Sequence, residues 1–99
     1  MPDETDLRRD TARAAQAAAL IGDEMLTAAF AELRASYVRK WETTALPDVV
    51  TREKLWLAVM SLDLVRGHLE MVISAGSIAA KQLANMDEVR GAGRPRRGA

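Results

Sequence analysis

REKLWLAVMSLDLVRGHLEMVIS, residues 52–74, is the stretch that decides the fold. Leu55, Val59, Leu62, Val65, Leu69, Val72 and Ile73 recur at helical spacing and trace one face of an α-helix. Trp56, Met60, Gly67 and Met71 form a second stripe, and Leu57, Leu64 and Met71 a third. Only Asp63, Arg66, Glu70 and Ser74 make a narrow polar band, within which Arg66 and Glu70 stand at the favourable i,i+4 spacing. A surface helix needs a single apolar stripe; this one is apolar around most of its circumference and must be covered on more than one side.

Working outward, Asp48 or Thr51 is placed to cap this helix, and Leu46-Pro47-Asp48 ends the one before it. That earlier helix opens at Asp23, a capping residue, and runs to about Thr44 with Leu26, Phe30, Leu33, Tyr37 and Trp41 on one face. So short a connection makes the two helices antiparallel neighbours, a helical hairpin whose core is expected from those five residues with Leu55, Val59, Leu62 and Leu69. Residues 1–22 read as a short, alanine-rich N-terminal helix stopped by Gly22, expected to pack lightly or fray because alanine buries little area. On the far side, Gly76 is expected to end or kink the third helix, with Ile78, Leu83 and Met86 marking a short fourth helix or a continuation. From Gly91 the chain reads GAGRPRRGA, the composition of a disordered tail. The fold class expected is all-α: residues 1–22 as the N-terminal helix, 23–88 as a hairpin for oligomerisation, and 89–99 as a basic tail.

One helix covers only one face of residues 52–74, so Trp56, Leu57, Met60, Leu64, Gly67 and Met71 are left as the expected oligomer interface. Keeping such side chains in water forgoes on the order of 1.5–3 kcal/mol each. The alternative is that residues 1–22 fold back and complete a three-helix monomer. Gly67 bears on the choice, since a mid-helix glycine costs about 1 kcal/mol against alanine and suggests close packing there.

Composition narrows the chemistry. The chain has 99 residues, 48% apolar and 28% charged, with no cysteine, so one domain without disulfides or thiolate metal sites is expected. No apolar run is long enough for a membrane span, and the acidic start (Asp3, Glu4, Asp6) is unlike a signal peptide, which points to the cytoplasm. No glycine-rich phosphate loop occurs, no nucleophile–base pair can be assembled, and His68 lacks a second histidine or a cysteine as co-ligand. No catalytic residue, metal or cofactor is expected, and the chain reads as a non-enzyme. Tyr37, Trp41 and Trp56 could stack on nucleic-acid bases, but their helical spacing favours packing. Net charge is zero, yet residues 90–99 hold Arg90, Arg94, Arg96 and Arg97 without an acid. Such a tail offers weak, sequence-blind contact with DNA or an acidic partner, multiplied if the chain assembles.

Taken together, DEMLTAAFAELRASYVRKW (residues 23–41), REKLWLAVMSLDLVRGHLE (residues 52–70) and the short C-terminal segment resemble the oligomerisation core of the small terminase subunits of tailed phages and gene transfer agents. The resemblance covers about half of the chain. It implies a homo-oligomer, such as a ring, that helps package viral DNA in the bacterial host cytoplasm. The large terminase subunit and DNA would be its partners, touched through the arginine tail. Many members carry an N-terminal helix-turn-helix; residues 1–22 are too short for one, so non-specific DNA contact is implied. Two other readings remain open. One is a secreted WXG-type helical hairpin, although Trp41-Glu42-Thr43 lacks that motif's glycine. The other is a small adaptor masking a partner's hydrophobic groove.

Overall fold

The computed structural model describes residues 3–92, and among them the only regular elements are three helices: α1 (Glu4–Gly22), α2 (Glu24–Thr43) and α3 (Val49–Ala92). The all-α hairpin architecture is therefore as expected. α2 and α3 are joined by a tight turn, and α1 and α2 together lie along α3, α1 against its C-terminal half and α2 against its N-terminal half.

Local chemistry sets each boundary. The Asp3 carboxylate accepts from the Asp6 backbone N–H at 2.8 Å, and the acids Glu4 and Asp6 occupy the positive end of the α1 dipole. Asp23 is the sole residue between α1 and α2. Its extended backbone breaks the helix, its N–H still donates to the Leu20 carbonyl, and its carboxylate accepts from Leu26 N–H at 2.8 Å. α2 stops at Thr43, where Pro47 forbids continuation a few residues on. The Asp48 carboxylate accepts from Thr51 N–H in the first turn of α3, and the Thr51 hydroxyl first, with that N–H second, holds the carboxyl below its usual range.

Three expectations are corrected. Gly76 does not end the third helix: α3 runs for 44 residues, about 66 Å at 1.5 Å per residue, so of the two readings of Ile78, Leu83 and Met86 the continuation holds and the separate fourth helix does not. Residues 89–92 belong to α3 rather than to a tail, so the boundary at residue 88 falls inside a helix. And α1, at 19 residues nearly as long as α2, does not pack lightly.

The only fully buried apolar side chains among the described residues are Leu7, Ala17 and Ala79, with Gly76 beside them, all at the α1–α3 contact. Small side chains let two helix axes approach until backbone meets backbone. A Cβ built on Gly76 would collide with the Ala14 methyl and stand 2.9 Å from the Asp10 carbonyl oxygen. Alanine content, taken as a sign of weak packing, is what makes this contact the tightest in the chain. By contrast α2 has no buried residue at all.

Candidate assembly surface

The turn between α2 and α3 is stitched by a residue whose role the sequence did not reveal. Arg52 donates from Nη1 to the Trp41 and Thr44 carbonyls, both at 3.2 Å, and lays its guanidinium over the Trp41 ring at 4.5 Å. It joins the Thr44 N–H on the Trp41 carbonyl and supplies a donor to the Thr44 carbonyl, just past the end of α2. Further along, Arg34 of α2 donates to both oxygens of Asp63 on α3, at 3.1 and 3.4 Å. These contacts hold α2 in place, but they do not cover what α3 presents.

Of the residues expected in the hairpin core, Leu26, Phe30, Tyr37, Leu55, Val59, Leu62 and Leu69 are half-buried, while Leu33 and Trp41 are exposed. Trp41 and Trp56 line one shallow hollow at the turn with Val49, Arg52 and Glu53. Every large side chain assigned to the interface is exposed: Trp56 at 54%, Leu57 at 52%, Met60, and Leu64 and Met71 at 68% each. Leu64, Met60 and Met71 surround a second hollow with Asp63, Gly67 and His68. Nothing lies within 4 Å of where a Gly67 Cβ would be. His68 sits on the rim of that hollow, and no group of three His, Cys, Asp or Glu among the described residues could hold a metal ion.

The arginines assigned to the tail divide. Arg90 is helical and bidentate to Glu4 of α1, at 3.2 and 2.8 Å. That pairing, joined by Arg8, lowers the Glu4 carboxyl from 4.5 to about 2. Arg90 thus links the end of α3 to the start of α1 and stands in a helix rather than in a tail. Arg94, Arg96 and Arg97 lie outside the described residues.

The shape matches this account of an uncovered surface. The chain measures 80 × 29 × 16 Å, with a radius of gyration of 21.9 Å, where a compact domain of this length has about 13 Å. No helix among the described residues is long and apolar enough to cross a membrane. What fold and surface define is an elongated helical hairpin with an exposed apolar flank. Comparison with family models, with curated proteins and with solved structures finds no match to this chain.

Proposed function

We propose that this protein is a non-enzymatic assembly subunit, and that it works by burying the exposed flank of α3 against further copies of itself. The observation that carries the reading is the exposure of Trp56, Leu57, Leu64 and Met71 on a chain with almost no interior of its own. Contiguous apolar patches of this kind mark interaction surfaces, and a chain whose described residues bury only Leu7, Ala17 and Ala79 among their apolar side chains gains most by sharing one. The hollow at the centre of the flank is lined by Met60, Leu64 and Met71 with Asp63 and no lysine or arginine, which argues against nucleic acid as its occupant, since phosphate recognition draws on cations.

Within that class, the resemblance of residues 23–41 and 52–70 to small terminase subunits supports a role in packaging viral DNA beside a large ATPase–nuclease subunit in a bacterial host cytoplasm. Arg94, Arg96 and Arg97 would then touch DNA or the large subunit. The arrangement suits such division of labour: a structural body in α1–α3 and a cationic end that follows it. Cutting the chain after Ala92 tests the tail while leaving every helix whole. The prediction is that duplex DNA binding at low salt falls and its salt dependence flattens by about 0.9 log units per lost phosphate contact, with solution mass unchanged. Equal DNA binding with and without the tail would remove DNA from the proposal.

A further inference from the structure

We propose that a second copy of the chain seats antiparallel on the face of α3 opposite α1 and α2, with Leu64 of each copy over Gly67 of the other. The inference rests on the self-assembly reading above and specifies its contact.

α3 carries two sets of residues spaced by seven. Leu55, Leu62, Leu69, Gly76 and Leu83 form the first, with Ala58, Val65, Val72, Ala79 and Met86 three positions on. Apart from Val65 these are buried or half-buried, and they face α2 and then α1. A strict seven-residue repeat over so many turns belongs to a left-handed supercoil, in which the repeat stays turned toward its partner helix. The second set is Val50, Leu57, Leu64, Met71 and Ile78, with the same period and every member exposed. At about 100° per residue, Leu57 lies about 200° from Leu55, so the second seam runs down nearly the opposite side of the helix. It extends roughly 42 Å from Val50 to Ile78 at 1.5 Å per residue. One seam has its partner helices within the chain. The other repeats the same instruction with nothing to receive it.

The two mid-helix glycines make the same point. Each costs about 1 kcal/mol against alanine. At Gly76 the cause is visible, because α1 occupies the space a Cβ would need. At Gly67 that space is open, and nothing among the described residues accounts for the missing side chain. Gly67 belongs to the second seam, three positions after Leu64, in the series Glu53, Met60, Gly67, Ser74, Lys81.

That series also sets the direction. In a parallel pair each position faces its own copy, so Leu64 would crowd Leu64, Gly67 would face Gly67 across a void, and Glu53 and Lys81 would each meet like charge. In an antiparallel pair the large series faces the small one. With Leu64 over Gly67 of the other copy, Leu57 falls over Ser74 and Met71 over Met60, so large residues meet small or pliant ones. The same register brings Glu53 within one turn of Lys81 of the other copy, twice by symmetry. Neither forms an ion pair among the described residues, whereas Asp63 and Glu70 are held by Arg34 and Arg66.

Because the chain has no cysteine, an introduced one reports cleanly. Glu53→Cys and Lys81→Cys proteins, each full length, are treated with a short bismaleimide separately and mixed. The mixture should yield crosslinked dimers several-fold above either protein alone. Gly67→Leu placed in both partners should cut that yield about tenfold or more while circular dichroism retains the helices. Single variants that crosslink as well as the mixture would establish a parallel seam and overturn the proposal. An oligomeric wild-type mass with no crosslink in any combination would refute this seam and leave self-assembly standing; a monomeric mass would refute both.

Discussion

The two halves of α3 are covered in opposite ways. Its C-terminal half meets an alanine-rich helix, and there Gly76, Ala79, Ala17 and Leu7 are sealed from water. Its N-terminal half meets α2, which is richer in large apolar residues, and yet nothing in α2 is buried. Burial is therefore not proportional to the size of the apolar side chains supplied. It depends on how near two backbones come, and small residues allow the nearer approach. Large residues on α2 and α3 hold the axes apart and leave their own flanks wet until something else arrives. The tight half holds the buried side chains of the described residues, and the loose half is the one the proposed assembly would cover.

Perturbing that contrast gives graded outcomes. Gly76→Ala has the largest effect on the chain itself. The new methyl group meets Ala14 and the Asp10 carbonyl, and forcing it in should cost about 1–3 kcal/mol, read as a lower urea midpoint. Gly67→Ala is the matched control. With open space around it, the same change should stabilise the dilute, unassembled chain by up to about 1 kcal/mol through helix propensity. Opposite signs for one substitution in one helix would sharpen the distinction; equal destabilisation would erase it.

The smallest effect is at the end of the tight half. Glu4 is held from 4.5 down to about 2, chiefly by its hydrogen bonds to Arg90 and then by those to Arg8. A depressed carboxyl stabilises the fold above its unfolded value and loses that contribution as pH falls. Wild type should thus exceed Glu4→Gln in melting temperature at neutral pH, with the gap closing between pH 4.5 and about 2. Because the pair is exposed, added salt should narrow the gap at neutral pH as well. A gap independent of pH would mean the Glu4–Arg90 contact does not hold α1 to α3.

Much of this was legible in residues close together in sequence. Asp23 and Asp48 announce helix starts, Pro47 announces a stop, and the stripes of residues 52–74 announce a helix with more apolar surface than one neighbour hides. All the large residues marked as the interface are exposed. What escaped was long-range. Gly76 reads locally as a helix breaker, and only the arrival of Ala14 from 62 positions earlier (76 − 14) explains why it sits inside an unbroken helix. Arg90 reads as one more tail cation until Glu4, 86 positions away, takes it. Arg52 gives no sign in the sequence that it will bridge Trp41 and Thr44. Leu33 and Trp41, on a good helical stripe, remain exposed because α2 lies too loosely to cover them.

The claim beneath all of this is that the flank bearing Leu57, Leu64 and Met71 is buried between chains. Multi-angle light scattering of the full-length protein at micromolar concentration measures it most directly. A particle mass at a whole multiple, two or greater, of 10.8 kDa, falling toward 10.8 kDa when Leu64 is changed to Asp, is the predicted result. A wild-type mass of 10.8 kDa across that range would contradict the account.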